Sequence, residues 1–203
     1  MQWNFYNFIQ FICTFAIQKD KKMTAEKRLN KQNEQSSIIS ALKTSSDEKV
    51  IAMLIDLKEQ GELFYVETLL DMLTGNITKV LQKVVMEYIS DIKIQGAAQI
   101  ISNYISEKFP KFDVTSIVTV SWQSRLDFSQ YLDPYFKVLI DGNYMAAIEA
   151  FTVIENALYS LTIDEATGYE ELIKKSIPKA DKDKQPLLLE MVNLLEEAKR
   201  AID

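Results

Sequence analysis

Residues 131–159, YLDPYFKVLIDGNYMAAIEAFTVIENALY, carry two apolar stripes at helical spacing on either side of a short polar turn. Leu132, Tyr135, Phe136, Leu139 and Ile140 make the first stripe. Tyr144, Ala147, Ile148, Phe151, Ile154 and Leu158 make the second, and both repeat at steps of three and four residues. Asp141-Gly142-Asn143 supplies the stop and the start between them. Gly142 is suited to a left-handed cap on the first helix, and Asn143 to accepting a backbone N–H at the head of the second. The spacing predicts a helical hairpin. Ala146, Ala147 and Ala150 let a neighbouring helix come close, with the Phe151 ring filling the gap, so Phe151→Ala is expected to leave a large cavity.

The same pattern recurs along the chain. Turns fall at Ser45-Ser46-Asp47, Thr74-Gly75-Asn76, Lys111-Phe112-Asp113, Asp141-Gly142-Asn143 and Ala180-Asp181, and the capping residues Asp47, Asn76, Asp113, Asn143 and Asp181 are spaced by 29, 37, 30 and 38 residues. Those intervals bracket the periods of helical repeat proteins. The first unit pairs Ile38, Ile39 and Leu42 with Val50, Met53, Leu54 and Leu57. The second pairs Leu63, Val66, Leu70 and Leu73 with Ile77, Val80, Leu81, Val84 and Tyr88. Ala97, Ile100, Ile101 and Tyr104 precede Val114, Ile117, Val118 and Ser121 in the third. Tyr169, Leu172, Ile173 and Ser176 precede Leu188, Met191, Val192, Leu195 and Ile202 in the last. Pro110, Pro134, Pro178 and Pro186 all fall near helix boundaries, where a missing N–H costs least.

Composition agrees with helices joined by short connections. The 203 residues are 47% hydrophobic and 26% charged, with only 5 Gly and 4 Pro, whereas an all-β chain needs such residues at many turns. There is no His, and Cys13 is the single cysteine, which excludes a His-dependent triad, a His/Cys zinc site, a Cys–His nucleophile pair and an intrachain disulfide. One cysteine fits a reducing, cytoplasmic compartment. Residues 1–22 carry a charge of +2 within a net charge of −6, leaving −8 on residues 23–203, an acidic body that argues against a nucleic-acid partner.

Residues 1–35 form an N-terminal apolar segment followed by a polar linker or frayed helix, ahead of a repeat domain at 36–203. Trp3 to Ile17 is aromatic and uncharged, but as a helix it would span only roughly 22 Å, short of the ~30 Å hydrocarbon core of a bilayer. Lys19, Lys21 and Lys22 follow the apolar run, whereas a secretory leader places its basic residues before it. Three readings stay open: an upstream extension with the functional chain starting at Met23, an interfacial anchor using the basic run from Lys19 to Lys31, or an ordered helix of the fold.

Five two-helix units with an Asp or Asn in the turn resemble the HEAT repeat family over residues 36–203, and Asp47 with Val50 matches the family's turn and early second helix. The arginine of the HEAT pattern is absent from every unit, the only arginines being Arg28, Arg125 and Arg200. An armadillo-like superhelix or a compact bundle therefore stays open beside it. The resemblance implies an all-α fold, a right-handed α-α superhelix of about five antiparallel helical hairpins. It also implies that the second helices line a concave face, acting as a non-catalytic protein-interaction or scaffold surface. Residues opposite the apolar stripes of those helices are the partner-binding candidates: Lys79, Gln82 and Met86, then Ser116, Thr119 and Gln123, then Glu149 and Asn156, then Glu190, Asn193 and Glu197.

Trp122, Arg125 and Asp127 offer a competing chemistry. They are similar to the Trp and Asp that HEAT-like DNA glycosylases place on a concave face, where Trp stacks on a base and Asp stabilises a cationic sugar. The alternative, favoured by the charge balance, is a partly buried Trp at the junction of the third and fourth units with an Arg–Asp surface pair. Glu170-Glu171 and Glu196-Glu197 are adjacent in sequence and on a helix point about 100° apart, so neither pair clasps one substrate. No phosphate-binding glycine loop, calcium loop or Walker-type lysine occurs, and the sequence calls for no cofactor and no metal.

Overall fold

A computed structural model describes residues 27–57 and 62–202, within a chain that divides into two compact units, Met1–Thr44 and Ser45–Asp203. The described part of the first unit is one helix, α1, over residues 27–44. No Gly or Pro interrupts it, and Lys, Arg, Gln, Glu, Leu and Ala supply strong helix formers, so it runs through the boundary expected at residues 35 and 36. The apolar segment, the proposed start at Met23 and most of the basic run lie outside the described residues.

The second unit contains α2 (Asp47–Leu57), α3 (Val66–Leu73), α4 (Lys79–Ser90), α5 (Gly96–Lys108), α6 (Thr115–Gln123), α7 (Asp133–Asp141), α8 (Tyr144–Ala157), α9 (Ile163–Ser176) and α10 (Gln185–Ile202), with 3₁₀ turns at Leu158–Ser160 and Ile177–Lys179. The fold is all-α, with no strand among the described residues. Sequence-adjacent helices pack as pairs: α3 on α4, α5 on α6, α7 on α8 and α9 on α10. Every second helix also packs on the next of its kind, giving one row α2, α4, α6, α8, α10 and another α3, α5, α7, α9. The core holds Val66, Leu70, Leu81, Val85, Ile101, Ile117, Leu139, Ala147, Ile154, Ile173, Met191 and Leu195, all fully or nearly fully buried. The hairpin expected over residues 36–57 would join α1 to α2 across the division after Thr44 and stays an expectation.

The hairpin at 131–159 forms, with a turn that works differently from the expectation. Asn143 Oδ1 accepts the Ala146 N–H at 2.9 Å and starts α8. Gly142 is not left-handed: its φ is −73°, and its N–H bonds to Val138 O. A Cβ on Gly142 would lie 2.5 Å from that carbonyl oxygen, so glycine is needed for close approach, not for handedness. The other turns share the location but not the capping atom. Thr78, two residues after Asn76, accepts the Leu81 N–H (3.3 Å) and donates to the Asp47 carboxylate. Asp113 accepts both the N–H and the hydroxyl of Thr115, whereas Asp181 holds the Lys184 and Gln185 N–H groups with its backbone oxygen. A capping box joins Thr162 and Glu165 at the head of α9.

Three residues assigned to apolar stripes are exposed instead: Val80, Tyr144 and Leu172. Val80 and Tyr144 fall in the first turns of α4 and α8, and Leu172 stands beside Ile173, about 100° from the buried face. Phe151 is only half-buried, while Ala146, Ala147 and Ala150 are buried against the neighbouring helices.

Tyrosine hydroxyls link successive members of the α3, α5, α7, α9 row. Tyr104 on α5 donates to Asp71 on α3 (2.8 Å), Tyr135 on α7 lies 3.4 Å from Ser102 Oγ on α5, and Tyr169 on α9 donates to Asp133 on α7. Tyr135 also donates to Ser121 on α6 (2.9 Å), and Tyr169 stacks on Phe136 with ring centroids 3.7 Å apart. At the last pair, Glu170 is 8% exposed and takes hydrogen bonds from Lys174 and Lys199. Buried Lys184 donates to Ile140 O and Gly142 O, tying the start of α10 to the end of α7.

Candidate functional site

All eleven residues picked out opposite the apolar stripes lie on α4, α6, α8 and α10, and none is buried. Gln82 Nε2 donates to Ser116 Oγ at 2.8 Å, joining α4 to α6. Thr119 donates to Thr115 O on its own helix, and Asn193 donates to Glu190, so these groups are satisfied locally. Glu149 on α8 accepts the indole N–H of Trp122 on α6. That bond unites a predicted partner residue with the tryptophan weighed separately in the sequence.

Next to this pair lies a cleft of about 300 Å³ lined by Trp122, Arg125, Asp127 and Asn156, with Ser121 and Ser124 from the end of α6 and Val153 and Ala157 from the end of α8. Of the eleven predicted residues Asn156 lines it; the other ten, Glu149 among them, do not. Its third wall is the α6–α7 connection, which several contacts hold in place. Leu126 and Phe128 are buried, and Phe128 meets Tyr135 edge-on with centroids 5.6 Å apart. Gln95 grips Asp127 from both sides, accepting its N–H (3.0 Å) and donating to its carbonyl. Ser124 Oγ donates to Ser121 O at 2.8 Å.

Asp127 does not form the expected surface pair with Arg125. Its carboxylate accepts the Ser129 N–H at 2.9 Å, and that backbone bond holds it below the usual aspartate range, fully ionised at neutral pH. Trp122 is 38% exposed and lines the cleft, with its indole N–H held by Glu149. The arrangement provides a rigid aromatic surface, fixed carboxylates and hydrogen-bonding groups. Among the described residues no cluster of His, Cys, Asp or Glu is arranged to hold a metal ion, and no helix is long and apolar enough to cross a membrane.

Sequence reasoning missed Gln95 and Ser129, because each acts through a backbone group of a loop whose path periodicity does not reveal. The chain matches no protein-family model, no curated protein and no solved structure.

Proposed function

We propose that this protein is a non-catalytic interaction module, a right-handed HEAT-like α-α superhelix that binds a protein segment along the exposed side of α4, α6, α8 and α10. The two rows of successively packed helices support the superhelical reading, since each helix pair covers the apolar face of the next. The cytoplasmic assignment belongs to the same proposal and rests on cysteine usage.

The observation that carries it is the pinned Trp122 beside its cleft. Tryptophans dominate binding energetics because one side chain buries a large apolar area with few rotamers to freeze, and a ring already fixed by Glu149 loses still less entropy on binding. Exposed large apolar residues also favour this row. Ile55, Val80, Trp122, Met145 and Leu189 place at least one on each of α2, α4, α6, α8 and α10, whereas in the other row α3, α5 and α7 present none and α9 presents Ile163 and Leu172. Interface cores draw on such side chains.

The glycosylase alternative is disfavoured by charge: among the described residues Arg125 is the sole cation lining the cleft, which a phosphate backbone would approach against Asp127, with Glu149 bonded to Trp122 beside it. The membrane-adaptor alternative rests on residues 1–31 alone and would appear as vesicle flotation lost on truncation to Met23.

Affinity capture from the native extract tests the module, comparing the wild type with Trp122→Ala and with Leu172→Ala on α9. A partner retained by Leu172→Ala and lost by Trp122→Ala, with both variants melting as the wild type does, is the expected result. Equal recovery by all three chains would overturn the assignment.

A further inference from the structure

We infer that the Trp122 cleft receives an arginine side chain from the partner, so that the bound segment is a basic peptide; this rests on the interaction-module reading. The cleft has the electrostatics of a cation site. It sits where α6 ends at Gln123 and α8 ends at Ala157, and the last turns of both helices line it. A helix C-terminus carries roughly half a negative elementary charge, which the end of α6 supplies here, whereas α8 runs on into the 3₁₀ turn Leu158–Ser160. Asp127, whose bond from the Ser129 N–H favours its ionised form, adds a full charge to the lining. Glu149, outside the lining but bonded to the indole N–H of Trp122, adds another beside it. Arg125 opposes these charges from the exposed side of the cleft and is outnumbered by them.

Shape and chemistry narrow the cation to a guanidinium. A volume of about 300 Å³ is at the small end of ligand pockets and suits one long side chain better than a whole cofactor. Trp122, exposed and lining the cleft, offers a planar surface for a flat guanidinium to stack on, and the Asp127 carboxylate and the Asn156 side-chain oxygen of the same lining can accept its N–H groups. Lysine would gain the charge but lose both the stacking and the fork. The helix beside the cleft matches a basic segment: α8 carries Glu149 and Glu155 with no Lys or Arg.

Fluorescence of the full-length chain with Trp3→Phe, which leaves Trp122 as the sole tryptophan, gives a direct readout. The probes are a short capped peptide of alanine and leucine with a central arginine, and its lysine and glutamate counterparts. The arginine peptide is expected to give a saturable change in Trp122 emission that weakens as salt rises, with the lysine peptide weaker by about tenfold and the glutamate peptide silent. Glu149→Gln and Asp127→Asn should each weaken the arginine peptide while leaving the melting temperature and circular dichroism unchanged. No saturable change, equal response to the glutamate or lysine peptide, or unaltered binding by both variants would overturn the inference. If the peptides fail while capture from extract still depends on Trp122, the arginine assignment alone falls; if capture also ignores Trp122, the module reading falls with it.

Discussion

Gly142 and Gly168 show how one substitution takes opposite signs in one protein. A Cβ on Gly142 would press 2.5 Å from Val138 O, a backbone atom that cannot swing away, whereas a Cβ on Gly168 in α9 meets nothing within 4 Å. Gly142→Ala should therefore destabilise by ~1–3 kcal/mol through overpacking, and Gly168→Ala should stabilise by ~0.5–1 kcal/mol by removing backbone entropy. Thermal melts of the two variants, moving in opposite directions, check both.

Glu170 gives the residue scale its pH dependence. Lys174 first and Lys199 second hold its carboxyl below the ordinary glutamate value of 4.5. A carboxylate depressed in the folded state contributes stability that is present above the unfolded value and lost as pH falls through the folded one. Glu170→Gln should lower the melting temperature at neutral pH and flatten its decline below about pH 4.5, the two curves converging at the acid end. Parallel curves would mean the two lysines contribute nothing to folding.

At the scale of the element, the tyrosine rungs and the capping groups set how helices meet. Phe136 is 2% exposed and stacked on Tyr169, so Phe136→Ala opens a cavity between α7 and α9 and should cost ~3–5 kcal/mol. Phe151→Ala, first expected to be the severe change, should cost less because that ring is only partly buried; denaturant titration of both variants fixes the order. Helix existence and pairing were legible from apolar spacing, since a three- and four-residue repeat survives small errors of boundary. Phase was less so: Val80, Tyr144 and Leu172 are apolar yet exposed, because a run of adjacent hydrophobic residues spans more than one face of a helix. The caps shifted by a residue or two for a related reason. Ser, Thr, Asn and Asp compete for the same backbone N–H, and only the path of the chain selects the winner, as with Thr78 over Asn76.

For the whole molecule, packing limited to near neighbours along the chain has a measurable consequence. Met191 is buried in α10, which packs on α9 and α8 but has no major contact with α3 or α5. Met191→Ala, at ~2–5 kcal/mol, should raise amide hydrogen exchange in α8 to α10 far more than in α3 and α5 if the helix pairs are coupled as a linear stack. Uniform loss of protection would instead mark a single cooperative core.

The sequence by itself determined the helical class, the pairing of α3 with α4 through α9 with α10, and the exclusion of histidine chemistry. Each of these depends on residue type and local spacing, which the chain carries wherever it folds. Its candidates on α4, α6, α8 and α10 are all unburied, with Gln82, Met86, Ser116, Thr119 and Glu149 partly covered. Only the tertiary structure brought Trp122 to Glu149, closed the loop around Asp127 with Gln95, and set residues of α6 and α8 along one cleft. Those partners lie 27 and 32 residues apart in the chain, beyond the reach of any helical periodicity. Their meeting is fixed by how whole helices pack, not by what either segment prefers alone.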